Sequence, residues 1–175
     1  MPVPQKDNST AGLARMNLVL HNKGTGVVVG NKSTLPAPHY KEEDNPELLK
    51  TFNYIVVNPP FSDKSWMDGI TIPDVYSRYS ETVLGVPPEK NGDYAWLLHV
   101  LKSLKSNGKA AIILPHGVLF WGNAEADIRK KNINRGYIKG IVGLPANLFY
   151  GTGIPACILV LEKEDTAERT GIFMR

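Results

Sequence analysis

The chain has 175 residues, 42% of them apolar and 21% charged. That is one ordinary domain with a globular balance, long enough to bury roughly 70% of its unfolded surface, and it excludes a disordered tail. A single cysteine, Cys157, excludes a disulfide framework and a cysteine-built zinc site, and a net charge of +3 is compatible with nucleic acid but less basic than a dedicated DNA-binding module. No apolar run is long enough to span a bilayer and residues 1–25 lack a signal-peptide core, so an intracellular domain is expected.

Residues 1–8 are polar and read as a frayed end. Ser9 or Thr10 caps a helix over Ala11 to His21, whose apolar side holds Leu13, Met16, Leu18, Val19 and Leu20. Val27-Val28-Val29 is a short strand between glycines, and the prolines at 36, 38 and 46 mark a loop. Tyr54 to Val57 is apolar throughout, as a strand buried on both faces is. Asn58-Pro59-Pro60 stops it. Residues 61–92 hold no sustained period, and a stretch of that length in a compact domain is typically a lid or binding loop.

Asp93 is placed to cap a helix from Tyr94 to about Ser106, ended by Asn107-Gly108. Ala110 to Leu114 is a buried strand closed by Pro115. The segment from about Asn123 to Asn134 is polar and amphipathic and reads as helix. Tyr137 to Leu144 and Ala156 to Leu161 are strands, joined through a turn at Gly151-Thr152-Gly153, and Gly171 to Arg175 begins another. Alternating strands and helices predict a parallel α/β sheet covered on both faces. The last two full strands have no room for a helix between them and are expected to pair antiparallel at an edge.

Ligands of open α/β sheets sit beyond the carboxyl ends of the strands. Three such ends occur here: Asn58, Pro115-His116 and Leu144-Pro145. Asn58-Pro59-Pro60-Phe61 carries the most chemistry. An amide at a strand end accepts and donates, two prolines fix φ and leave stiffly held carbonyls, and a phenyl ring adds a flat wall. These groups suit a planar ring bearing an amino group. The lone pair of an aromatic amine is delocalised, so the amine is a poor nucleophile. Accepting its two N–H bonds, with the Asn58 side-chain oxygen and the Pro59 carbonyl, favours a pyramidal nitrogen aimed at a methyl donor, and positioning then does the catalysis. A base in duplex DNA must be extruded to reach such a slot. A lone Asn-Pro dipeptide commonly just ends a strand. Four such residues at a buried strand end before a long loop point to function.

At these residues the sequence becomes familiar. Phe52-Asn53-Tyr54-Ile55-Val56-Val57-Asn58-Pro59-Pro60-Phe61 resembles the catalytic motif of adenine-N6 DNA methyltransferases. Leu13-Ala14-Arg15-Met16-Asn17-Leu18, Asn91-Gly92-Asp93-Tyr94-Ala95, Ile113 to Leu119, Ala126-Asp127-Ile128-Arg129 and Gly143 to Phe149 resemble, in the same order, the modification (methylase) subunit of type I restriction–modification systems. The resemblance implies a class I, S-adenosylmethionine-dependent, Rossmann-like fold with an antiparallel edge hairpin. It implies methyl transfer from S-adenosylmethionine to a flipped adenine in DNA, in the cytoplasm, with a specificity subunit and a restriction (nuclease) subunit as partners. Asn58, Pro59, Pro60 and Phe61 are then the catalytic residues. Asn58 also borders the cofactor, and Asn31 is the nearest candidate for a contact to the cofactor's adenine, although Lys32-Ser33-Thr34-Leu35 departs from the commoner Asp-Thr-Leu.

The family's Gly-rich cofactor loop and ribose-binding acid precede the helix at 11–21. Gly24-Thr25-Gly26-Val27-Val28-Val29-Gly30 does not replace them, because its third glycine is one place late and it leads into a strand. The expectation is a partial catalytic domain, inactive alone and lacking the upstream cofactor loop, with the strand start at 171–175 suggesting a cut there too. Two rivals stand beside it. One is methylation of a protein glutamine amide, which a similar motif serves. The other is a non-catalytic subunit-assembly module.

Other features have plainer readings. Trp66, Tyr76 and Tyr79 either wrap an extruded base or pin the loop to the core. Arg129, Lys130, Lys131, Arg135 and Lys139 form either a phosphate contact or, as expected, a solvated helix face. His21, His39, His99 and His116 show no metal-ligand spacing. His116 is expected to hydrogen-bond within its turn, and Cys157 to lie in the core.

Overall fold

A computed structural model of the chain describes residue 13 and residues 16–21, 34–149 and 152–175. The expected strand at 27–29 and Asn31 lie outside the described residues. Of the expected first helix, residues 16–20 are helical, and the His21 amide donates to the Asn17 carbonyl at 3.1 Å. The remaining elements are β1 (Phe52–Val57), α1 (Asp93–Lys102), β2 (Leu104–Pro115), a 3-10 turn (His116–Leu119), α2 (Asn123–Asn134), β3 (Ile138–Gly143), β4 (Ala156–Glu162), a second 3-10 turn (Thr166–Glu168) and β5 (Phe173–Met174).

The strands form one sheet in the order β1-β2-β4-β3-β5. β1 runs parallel to β2, and β3 parallel to β5. β4 is antiparallel to both neighbours, with Ala111 opposite Val160 and Val142 opposite Ile158. The crossover through α2 therefore leaves a gap one strand wide between β2 and β3, and the returning chain fills it. The expected antiparallel hairpin is present, and only the two-residue β5 lies outside it.

One core cluster joins Leu97, Leu98 and Leu101 of α1 and Ile128 of α2 to Ala110, Ile112, Leu114, Leu159 and Leu161 of the sheet. Helices α1 and α2 thus serve the same cluster, where sequence patterning predicts helices on both faces. β1 departs in the same way. Ile55 and Val57 pack on the cluster, but Tyr54 and Val56 are 77% and 85% exposed, so the strand is not buried on both faces. No described element packs on the face that carries Tyr54 and Val56.

The expected helix end also moves. α1 stops at Lys102, not near Ser106, because the Phe52 amide donates to the Ser103 carbonyl at 2.9 Å and Phe52 lies opposite Leu104. The next pair is Tyr54 with Lys109, so the intervening residues bulge, and Asn107-Gly108 lies inside β2. A side chain at Gly108 would stand 2.9 Å from the Phe52 carbonyl oxygen.

Residues 61–92 carry little regular structure yet are packed. Trp66, Tyr79 and Leu84 are buried in the core cluster. Trp66 and Tyr79 meet edge to face at 5.1 Å, and the Trp66 indole N–H donates to the Pro88 carbonyl at 2.8 Å. Asp74 and Arg78, four residues apart, form a buried ion pair at 2.6 Å. Arg78 also donates to the Leu35 carbonyl at 2.7 Å and lies over the rings of Tyr76 and Tyr79. Of the two readings of the loop aromatics, the pin holds for Trp66 and Tyr79. Tyr76 is half-buried between Arg78 and Lys41.

Candidate active site

Asn58 leaves the carboxyl end of β1 with its side chain exposed, and it makes no hydrogen bond to any described residue. Pro59 is buried, Pro60 exposed and Phe61 half-buried. The amide is thus presented outward while the first proline anchors the turn. The oxygen and NH2 of Asn58 are unpaired among the described residues and open to a polar group of a ligand.

The antiparallel course of β4 brings a second segment to the same edge. Its first residue, Ala156, lies opposite Pro115 at the end of β2, and the Leu144 amide donates to the Ala156 carbonyl at 2.9 Å. The His116 backbone amide donates to the Pro155 carbonyl at 3.0 Å, which ties the end of β2 to the start of β4. The described residues that follow β3, Leu144 to Phe149, reach the Asn58–Phe61 turn. Phe149 from that segment packs against Phe61, with ring centroids 5.5 Å apart and planes at 82°. Sequence reasoning marked the strand end at Leu144 but did not select Phe149. The position of β4, which brings the two loops together, could not be read from local pattern.

A third segment grips the turn from behind. Asp93 is expected to cap α1, but Gly92 takes the cap position without a side-chain cap bond, and Asp93 enters the first turn. Its carboxylate is fully buried and accepts the Ser62 N–H at 2.8 Å. Burial raises the Asp93 pKa against the lowering effect of its bonds to Ser62, and Asp63 adds to the rise. Glu125 of α2 is also buried. Its pKa is raised by burial and then by Asp93, and one of its carboxylate oxygens has no hydrogen-bond partner.

The basic cluster is largely committed to structure. Arg129 donates to the carbonyls of Val118 and Trp121, Lys131 to that of Glu81, Arg135 to that of Val83, and Lys139 to the Glu162 carboxylate. Cys157 is buried, as expected. Among the described residues no group of three or more metal-ligating side chains could hold an ion, and no helix is long and apolar enough to cross a membrane.

Comparison with known proteins follows the same lines. Residues 4–175 match the family described as N-6 DNA Methylase. The chain is 32% identical over 153 residues to the type I restriction enzyme MjaIX methylase subunit of Methanocaldococcus jannaschii, covering 87% of this chain and 26% of that protein. It is 31% identical over 167 residues to the HindI methylase subunit of Haemophilus influenzae, covering 95% of this chain and 35% of that one. Among solved structures, the type I restriction-modification methyltransferase subunit from Streptococcus thermophilus superposes with a TM-score of 0.71 at 37% identity. That match covers 95% of this chain and 34% of the other. The chain spans about a quarter to a third of the length of these relatives.

Proposed function

The chain belongs to the N-6 DNA methylase family, and we propose that it carries the adenine-accepting part of a type I restriction–modification methyltransferase. One observation carries this reading: an Asn58 amide with no described partner, beside a proline-fixed carbonyl and an aromatic ring at a strand's carboxyl end.

The chemistry follows from those groups. An extruded adenine enters beside Phe61, and its ring lies against the phenyl face, with Phe149 as the second aromatic. The Asn58 Oδ1 and the Pro59 carbonyl accept the two N–H bonds of the amino group. The Pro59 carbonyl is held by the two proline rings before the substrate arrives, so its alignment costs little reorganisation, and the Asn58 amide stands beside it, free to turn onto the amine. Drawing on both N–H bonds localises the nitrogen lone pair and points it away from the ring plane. No strong base is required while the nitrogen attacks, because the proton leaves only after the nitrogen has become cationic. S-adenosylmethionine, when bound, supplies a methyl group on a positively charged sulfur, and Asn58 is the described residue that would border it. Asn31 is the second proposed contact to that cofactor.

DNA is the proposed acceptor. A specificity subunit that selects the sequence and a restriction subunit are the proposed partners, and the cytoplasm the proposed compartment. The test is a transfer assay with the full-length subunit in its complex and a labelled methyl donor, offering duplex DNA and a glutamine-bearing protein in parallel. Label recovered as N6-methyl-2′-deoxyadenosine after DNA digestion supports the reading. Label on the protein amide alone overturns it in favour of glutamine methylation.

A further inference from the structure

We infer that Asp93 is a positioning residue for the methyl-accepting turn: its buried carboxylate holds Ser62, and through Ser62 sets the orientation of Asn58, Pro59 and Phe61. The inference rests on the reading of Asn58–Phe61 as the reacting motif.

Ser62 directly follows Phe61 and has a φ of 51°, in the left-handed region that a serine seldom occupies unaided. Something must hold it there. The Ser62 N–H donates to Asp93 Oδ1 at 2.8 Å, and its hydroxyl reaches Oδ2 at 3.5 Å, across 31 residues of chain. The neighbouring residues repeat the grip. The Gly92 N–H donates to the Asp63 carbonyl at 2.9 Å. A side chain at Gly92 would come within 2.7 Å of the Trp66 Cβ, so glycine is what lets the start of α1 approach this closely. The Asn91 side-chain oxygen accepts the Asp93 N–H at 3.1 Å. Asn91-Gly92-Asp93 is therefore a three-residue clasp on the turn.

The clasp is mounted on a rigid base, since Tyr94, Ala95, Leu97 and Leu98 of α1 are all buried in the core. A buried acid is costly unless it is satisfied, and this one is satisfied by Ser62 rather than by amides of its own helix. The reacting turn thus has a stiff entry, made by two prolines, and a clamped exit at Ser62. The backbone that carries Asn58 and Phe61 is thereby constrained at both ends.

The test uses the full-length subunit in its complex and measures single-turnover methyl transfer to DNA, normalised to folded protein. Asp93→Ala frees the Ser62 amide, and a turn displaced by about 1 Å is expected to slow transfer about 100-fold with little change in the KM for DNA. Asp93→Asn keeps an acceptor oxygen and is expected to stay within about threefold of the parent. Ser62→Gly added to Asp93→Ala is expected to restore about tenfold, because glycine adopts a positive φ without help. A parental rate in Asp93→Ala, an Asp93→Asn as slow as the alanine variant, or no rescue by Ser62→Gly would each overturn the inference. Should the alanine variant not fold, hydrogen exchange at the Ser62 amide of the parent decides. Protection is expected, and free-peptide exchange refutes the clasp. Asn58→Ala is run in parallel. If it retains the parental rate, the reading of the motif fails. If it is inactive while Asp93→Ala is fast, only the clasp fails.

Discussion

Trp66→Ala separates a loop pinned to the core from a loop that offers its aromatics to DNA. The indole is 2% exposed, meets Tyr79 at 5.1 Å and donates to the Pro88 carbonyl. A buried tryptophan removes roughly 200 Å² from water, which at about 25 cal/mol per Å² is about 5 kcal/mol. The lost hydrogen bond adds about 1 kcal/mol, and partial collapse of the loop returns some of the total. The expected loss is about 4 kcal/mol, within the range of other buried tryptophans replaced by alanine. For a chain of this length that lowers the Tm by roughly 10–15 °C. Trp66→Phe keeps the contact with Tyr79 and gives up the donor to Pro88, so it should cost only about 1–2 kcal/mol. Urea and thermal unfolding followed by far-UV circular dichroism read both variants. An alanine variant with the parental Tm but weakened DNA binding would refute the pin and return Trp66 to the nucleic-acid surface.

Two further outcomes are expected. His99 of α1 sits 3.3 Å from Arg78, and burial, followed by that guanidinium, pushes its pKa down to about 4. The unfolded imidazole titrates near 6.5, so the unfolded chain binds the extra proton between these values. The stabilising contribution is complete above about pH 6.5 and is lost as pH falls towards 4, by about 3 kcal/mol. Denaturation midpoints at pH 7.5 and 4.5 should therefore differ more for the parent than for His99→Gln, and equal differences would count against the assignment. Phe149→Ala should leave the fold within about 1 kcal/mol, since only an edge contact is lost. It should also weaken the hold on an extruded base by roughly 1–3 kcal/mol. The fluorescence of 2-aminopurine at the target position reads that loss, and unchanged emission would remove Phe149 from the site.

What the sequence made legible was mostly local. α2 appears at the expected residues, and β3 and β4 lie within one residue of expectation, because their apolar runs are bounded by clear turn residues. The end of α1 was hidden, since Asn107-Gly108 is a good helix terminator that pairing between Phe52 and Leu104 overrides. The exposure of Tyr54 and Val56 was hidden too: an unbroken apolar strand looks alike whether one face or both are covered. Residues 61–92 hold no period, so their packing around Trp66, Tyr79 and the Asp74–Arg78 pair showed only in three dimensions, although the four-residue spacing of that pair was a readable sign. The proposed methyl-accepting motif stood out most in the sequence, because its four residues are contiguous. Its supports, Asp93 and Phe149, come from distant segments. The aspartate in particular carried a misleading local explanation as a helix cap.

The most direct test of the account is single-turnover methyl transfer by Asn58→Ala in the assembled complex. Asn58 is exposed and bonded to no described residue, so the variant should assemble normally and unfold within about 0.5 kcal/mol of the parent. Loss of the side-chain acceptor for the amine should slow transfer at least about 100-fold. That pairing, an intact complex with methylation abolished, also rejects a role limited to subunit assembly. A folded Asn58→Ala complex that methylates adenine at the parental rate would contradict the account.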